Sequence, residues 1–320
     1  MIISIRISYI LTERKFEANA NKMSFVWMKA TKKFREKCWK KIMERIRSFN
    51  IYCQNESIPI RLSMLKEFSF EYLVEISETI KTLMDQKEIE ARYGKGKRKH
   101  PLQRFKEGFE EDAEKILKYA TYYTIAGERN SFSKTDHDAT FMHMKYDYYN
   151  HTNVFKPGYN VQMGSSEGYI RHVYVSSDAN DVNTYIPFME GYHMAYGEYP
   201  SKTPGDAGYG SHDNYSYCKE HEMDLYMKYS TLRKEQEKLN DKNRFKSFRM
   251  RADENGRILC PEGKEFTLEK ETIETKGRYK KKIKHYRNEH CGDCPFRSKC
   301  TKSKQGRTLQ INEQLIEYQK

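Results

Sequence analysis

No stretch of this sequence approaches the roughly 20 consecutive apolar residues a membrane helix requires, so no membrane partner is expected. The segment from Met1 to Leu11 is apolar but short, carries Arg6 and lacks a small-residue cleavage site. That excludes a secretory signal and leaves a strand as the expected structure. A cytoplasmic location follows by default. Internal repeats and low-complexity tracts are also missing, so a repeat architecture is not expected. The cysteines at 38, 53, 218, 260, 291, 294 and 300 are odd in number. Without an export signal, that excludes a disulfide framework.

What is present is positive charge and core-forming material. Lys plus Arg reach 58 against 45 Asp plus Glu, a formal charge of +13, and the pI is about 9.2. Such a balance favours a polyanionic partner, because neutralised phosphates release counterions. With 37% hydrophobic and 13% aromatic residues in 320, the chain can build one large or two medium cores.

The chain changes texture along its length. Phe34, Cys38, Ile42 and Ile46 recur every four positions with Trp39 and Met43 beside them, which predicts an amphipathic helix over about 25–50. Leu65, Phe68, Tyr72, Leu73, Ile76, Ile80 and Leu83 predict a second helix, and about 102–122 a third. Between the last two, the glycines, proline and packed charge of 93–101 predict an exposed basic loop, either a phosphate contact or a solvated connection. After Asn130 come short strands, around Tyr159, Val161 and Met163 and over 169–175, with 164–168 as the turn between them. A helix over 182–196, a short strand before Asp206 and a helix from Asp213, capped around Ser211, complete a mixed α/β core. The stretch 231–251 is almost entirely charged or polar and reads as a linker.

Asp206-Ala-Gly-Tyr-Gly-Ser211 sets a carboxylate at a strand end, where α/β sheets present ligands, before glycines that permit a sharp turn. Pro204 weakens that strand. Asp136 and Asp138 share a face if extended and are secondary catalytic candidates as extra metal ligands, though such a pair more often caps or turns a loop. Cys291-Gly-Asp-Cys294, with Cys300 downstream and Cys260-Pro-Glu-Gly upstream, offers four thiolates for a structural zinc ion, with His285 and His290 as substitute ligands. Around them Arg278, Lys280, Lys281, Lys282, Lys284, Arg297, Lys299, Lys302, Lys304 and Arg307 interleave with Tyr279, Tyr286 and Phe296, a pattern compatible with DNA backbone contacts or with a solvated charge run.

Four motifs occur in order: Glu17-Ala-Asn-Ala-Asn-Lys22 followed by Phe25-Val-Trp27; Ser133-Lys-Thr-Asp-His-Asp-Ala-Thr140; Lys156-Pro-Gly-Tyr-Asn-Val-Gln162; and Asp206-Ala-Gly-Tyr-Gly. With the Cys-rich end, the chain from about residue 10 to 320 resembles bacterial insertion-sequence DDE transposases. The resemblance implies an α/β fold: an incomplete ribonuclease-H-like mixed sheet with a helical insertion and a small Cys-rich unit. The implied divisions are 1–24 as a remnant of the first core strand, 25–130 as the insertion and 131–235 as core. Residues 236–305 would be linker and zinc-ribbon-like unit, and 306–320 the start of a truncated helix.

Such enzymes cut and rejoin DNA with Asp, Asp and Glu holding two Mg²⁺ ions, since hard carboxylate oxygens suit that ion and paired ions stabilise attacking and leaving oxygens. Asp206 matches the second acid. Counting back from Glu17, Thr12 stands where the first belongs, and in a strand Glu13 points to the opposite face. The third would lie beyond Lys320, since Glu313 and Glu317 do not fit its motif. A helical region preceding the first aspartate, expected to help bind transposon ends, is missing too. The resemblance thus implies a transposase copy that is inactive, with double-stranded DNA and transposon inverted repeats as partners and a homo-oligomer as a further expectation. The alternative is a non-catalytic DNA-binding remnant that occupies transposon ends or interferes with an intact transposase. If the element has decayed, sequencing the flanking DNA will find the missing Asp-Gly-Thr and the glutamate helix in other reading frames. Intact unrelated neighbours would refute decay.

Overall fold

Leu11 is buried between two exposed neighbours, and this alternation makes Ile10–Glu17 a strand, β1. In the computed structural model the described residues are 10–94, 96–144, 154–240, 242 and 244–318. The strand expected over Met1 to Leu11 therefore lies, up to residue 9, outside the described residues. The chain forms two compact units, Glu17–Tyr159 and the segments on either side of it, and the division falls inside strands.

The unit Glu17–Tyr159 is mostly helical. Phe25–Trp27 is a strand, β2, rather than the first turn of a helix, and α1 runs from Met28 to Asn55. Helix α2 spans Phe70–Gln86, with the Ser69 side chain accepting from the Tyr72 amide, and α3 spans Pro101–Ala126, opened by a proline at its first turn. Leu65, expected inside the second helix, precedes it and is exposed. Ile42, Ile46 and Phe49 of α1, Leu73 and Ile80 of α2 and Leu102 and Phe109 of α3 share one core. Phe34, by contrast, is solvent-facing: the buried stripe begins at Cys38 and continues to Cys53. A short strand β3, Ser131–Ser133, pairs antiparallel with β2, and Thr140–His143 forms β4.

Strand β5, Phe155–Ser166, pairs through Phe155–Gly158 with β4 in this unit. From Asn160 onward it belongs to the other unit, where it pairs with β6, Tyr169–Ser176. The turn between them is two residues, Glu167 and Gly168, both at positive φ. Gly164, Ser165 and Ser166, expected in the turn, lie in the strand. The burial of β5 also inverts the hydropathy pattern: Asn160 and Gln162 are inaccessible, whereas Tyr159, Val161 and Met163 are half-buried.

Beside β5 lies β1, whose Leu11 amide donates to the Pro204 carbonyl at 2.9 Å. Isolated parallel bridges, Lys202 to Asp224 and Gly205 to Met227, continue the sheet. Helix α4, Tyr185–Tyr196, precedes this pair of extended segments, and α5, His212–Glu220, joins them, its cap being Ser211 as expected. Tyr185, Phe188, Met189, Tyr209 and Tyr217 pack there as a tyrosine-rich core. A one-turn helix α6, Leu232–Gln236, follows. The C-terminal part is a three-stranded antiparallel sheet of β7 (Thr267–Glu274), β8 (Lys281–Asn288) and, after the short α7 (Arg297–Cys300), β9 (Arg307–Ile311), before α8, Glu313–Tyr318. No described helix is long and apolar enough to cross a membrane.

In the helical unit one ion pair is buried. Asp112 of α3 is inaccessible and accepts from Arg45 of α1 at 2.8 Å. The guanidinium sits where Gly108 has no side chain; a Cβ there would come within 2.0 Å of it. Replacing Asp112 with Ala should therefore cost about 3–5 kcal/mol, because the half-buried Arg45 guanidinium loses its counter-charge. Urea unfolding checks this, and a loss under 1 kcal/mol, the most a surface pair is ordinarily worth, would refute the assignment.

Candidate functional site

Asp206 follows the extended segment tied to β1 through Pro204, so the proline limits the strand without breaking it: its carbonyl, which needs no N–H, makes the bond. Asp206 Oδ1 accepts from the Gly208 amide at 2.7 Å, a local turn of the kind short acidic side chains make. A Cβ on Gly208 would lie 2.8 Å from Asp206 Oδ1 and 3.3 Å from Asp181 Oδ2. The glycine thus lets two carboxylates approach across one point of backbone.

Asp181, which sequence reasoning passed over, is the acid that the structure adds. A buried polar relay holds it: the Tyr209 hydroxyl donates to Gln162 Oε1, Gln162 Nε2 to Asn160 Oδ1 at 2.9 Å, and Asn160 Nδ2 to Asp181 Oδ1 at 2.6 Å. Asn214 of α5 fastens the arrangement, donating to the Val182 and Tyr209 carbonyls at 2.9 and 2.7 Å. Burial pushes the Asp181 carboxyl above its ordinary range; the Asn160 bond opposes this, and the charges of Glu13 and Asp206 add to it. Tyr209 is held strongly protonated by burial and by the charges of Glu13, Asp181 and Asp206.

Two members of β1 reach this place with their charge, Glu13, which raises the Asp181 carboxyl, and Lys15, which lowers it. Thr12, counted as standing for the first acid, is exposed, while Glu13 is half-buried on the other side of the strand. Glu13 does point opposite to Thr12, and its side is the one that Asp181 and Tyr209 feel. Among the described residues, no three His, Cys, Asp or Glu side chains are gathered tightly enough as they stand to hold a metal ion.

Asp136 and Asp138 lie in the Glu17–Tyr159 unit, in a turn rather than an extended pair. Asp136 accepts from the Asp138 amide at 3.2 Å and from the Tyr159 hydroxyl at 2.8 Å. They perform turn chemistry.

Cys260, Cys291, Cys294 and Cys300 line one enclosed cavity of about 20 Å³ together with His290, Asn288 and Arg307. Burial raises the Cys300 thiol, Arg307 lowers it, and the other three thiols raise it further. His285 lies elsewhere, its Nε2 paired with Thr272 Oγ1 at 2.7 Å.

The basic residues nearby are largely engaged: Arg278 pairs with Glu190, Lys281 with Asp213 at 3.2 Å, Lys282 with Glu271 at 2.8 Å and Lys284 with Glu313 at 2.7 Å. Arg297 and Arg307 donate to backbone carbonyls. Exposed positive charge also lies on α1, at Lys29, Lys32, Lys33, Lys37, Lys40 and Arg47.

A family model described as a transposase DDE domain matches residues 259–320. That segment is similar to the DDE transposases. No curated protein and no solved structure matches the chain. The matched stretch holds the four-cysteine module and stops short of Asp206. Transposases act on DNA, and DDE transposases employ divalent metal ions, so a set of oxygen donors is what this family requires.

The signal that could have found Asp181 in the sequence was weak: an acid in a loop, five positions beyond the β6 strand, followed by a helix. Its burial yields a pH signature. The folded state keeps the Asp181 proton where the unfolded chain releases it, so its contribution is full below about pH 4 and is lost as pH rises through the higher folded value. Asp181→Asn retains the acceptor for Asn160 and removes this slope. Unfolding free energy measured from pH 4 to 8 should show a variant as stable as the parent at the acid end and more stable at neutrality. Parallel curves would show that the carboxyl is not desolvated.

Proposed function

We propose that this chain is a DDE-class transposase homologue of the insertion-sequence type, that it binds double-stranded DNA, and that Asp206, Asp181 and Glu13 form the acidic locus where Mg²⁺ is held. The observation that carries the reading is the approach of Asp206 and Asp181 across Gly208, beside β1 and within reach of the Glu13 charge. The order of the sheet supports a ribonuclease-H-like core: β6, β5 and β1, then the parallel pair around 202–205 and 224–227.

Chemically the residues fit a hard cation. Three carboxylates in a partly desolvated place repel one another, and a divalent ion would relieve both the repulsion and the burial penalty on Asp181. Asp206 and Asp181 would supply oxygens directly, with Glu13 on the β1 side. In this family the ions stabilise the attacking and leaving oxygens at phosphorus. The relay Tyr209–Gln162–Asn160 fixes where Asp181 stands and satisfies the amides that would otherwise be buried unpaired. Exposed lysines of α1 offer backbone contacts to DNA.

This copy, in our reading, binds DNA and a cation without completing strand cleavage, because Asp206 is engaged with its own turn and the acids are not gathered around one ion position. Asp206→Asn keeps the turn acceptor and removes the charge. Mn²⁺ titration followed by electron paramagnetic resonance should give about tenfold weaker binding in the variant, roughly 1.4 kcal/mol; equal affinity would remove Asp206 from the site. In parallel, a salt-dependent shift assay should retain inverted-repeat duplex more tightly than random duplex. A Mg²⁺-dependent nicking activity that Asp206→Asn abolishes would overturn the inactive reading and establish a working catalytic site.

A further inference from the structure

Residues 258–309 have little apolar material with which to hold themselves together. Their core consists of Ile258, Phe266 and Leu309 with Met250 just upstream, and Cys260, Tyr286, Cys300 and Ile311 packed against them. Two segments distant in sequence meet at this core. One is the tight turn Cys260–Lys264, closed by the Cys260 amide to the Lys264 carbonyl at 2.8 Å and the Gly263 amide to the Cys260 carbonyl at 2.9 Å. The other is the irregular stretch between β8 and β9, where the Arg297 amide donates to the Cys294 carbonyl at 3.0 Å. All four cysteines of these segments line the same small cavity, whose volume of about 20 Å³ suits a single atom-sized occupant.

We infer that Cys260, Cys291, Cys294 and Cys300 form a structural zinc site that clips the Cys260 turn to the β8–β9 connection. The spacing of Cys291 and Cys294 is the two-residue interval that places both sulfurs on one ion, and the tight turn presents Cys260 from the opposite side. Cys291 is already supplied with an amide donor: the Arg307 N–H points at its Sγ at 3.4 Å, the contact that steadies a thiolate. The thiol itself is turned away, donating to the Asn288 carbonyl at 3.2 Å. Cys291 must give up this bond for its sulfur to reach the ion. The thiol protons pass to solvent as the metal binds, and no oxidant is involved. Four thiolates and Zn²⁺ carry a net charge of −2, and Arg307, Arg297 and Lys264 line the same cavity to balance it. His290 also lines it, so the inference commits to four sulfurs over three sulfurs and a nitrogen.

The test uses the full chain purified under reducing conditions, with Zn²⁺ as the probe. Elemental analysis should find one zinc per chain. Cys260→Ser and Cys294→Ser should each weaken zinc binding by more than the ~10–100-fold that an outer-shell partner is worth, and His290→Asn should retain the metal. Loss of zinc in His290→Asn would overturn the four-sulfur set. If the cysteine variants do not fold, Co²⁺ titration of the unaltered chain decides. Thiolate-to-cobalt charge transfer with tetrahedral d–d bands is the expected spectrum, and its absence would overturn the site. Disulfide-linked cysteines under the same reducing conditions, found by peptide mapping, would also overturn it. Each readout is independent of DNA and of the acidic locus, so failure here leaves the transposase reading untouched.

Discussion

A buried amide cannot be left unpaired without a penalty of about 1–3 kcal/mol, and β5 buries two in succession on one face, Asn160 and Gln162. Their mutual bond consumes one acceptor and one donor, leaving an acceptor that takes the Tyr209 hydroxyl and a donor that takes Asp181. Most of what is distinctive about the candidate site follows from this constraint. The Lys156–Gln162 and Asp206–Gly210 motifs, far apart in sequence, become parts of one hydrogen-bonded chain. A loop carboxylate is drawn into a half-buried position beside a second carboxylate. The charge that results has no cationic partner inside the relay, which is why the locus is suited to a divalent ion.

Local signals and distant partners divide what sequence reading could reach from what it could not. Helices with local signals were legible: Ser211 caps α5, Pro101 opens α3, and the four-residue spacing from Cys38 onward buries the inner face of α1. The mixed α/β class was legible as well, from strand-like and helix-like texture in succession. Phe25–Trp27 was misread as helix because its partner, β3, lies about a hundred residues away, and such pairing leaves no local trace. Phe34 continued the apolar spacing one turn too far, to a position that stays exposed. On β5 the hydropathy pattern pointed to the wrong face, since it is the polar residues that are sheltered. Alternation identifies a strand but not its inner side when the buried positions satisfy one another.

Glu13 illustrates a related point. A gapless count set attention on Thr12, and the strand's two-residue period then argued against its neighbour. The period holds, and it puts Glu13 on the side of the strand whose charge reaches Asp181 and Tyr209, the side that the proposed locus uses. The basic C-terminal stretch is the converse case. Lys284 stands across the ladder from Glu271, Lys282 reaches the same acid diagonally, and Arg287 pairs with Glu269. Composition counted Lys282 and Lys284 as available to a polyanion, whereas cross-strand pairing engages both. Helix α1 has only Glu36 and Glu44 among its many cations and keeps its charge facing solvent.

The Glu17–Tyr159 unit begins and ends at one place. The Ala18 amide donates to the Pro157 carbonyl at 2.9 Å, and Lys156 pairs with Glu17. The chain that leaves β1 and the chain that arrives on β5 are thus neighbours before any helix is built between them. A segment with adjacent ends imposes almost no length requirement on the strands that carry it, since closing a longer loop costs only slowly increasing entropy. The helical unit can accordingly gain or lose whole turns, or be exchanged for another helical unit, while β1 and β5 stay in register. Architectures of this kind let one chemical platform be fitted with different attachments, so helices α1 to α3 can change in length without moving β1 from β5.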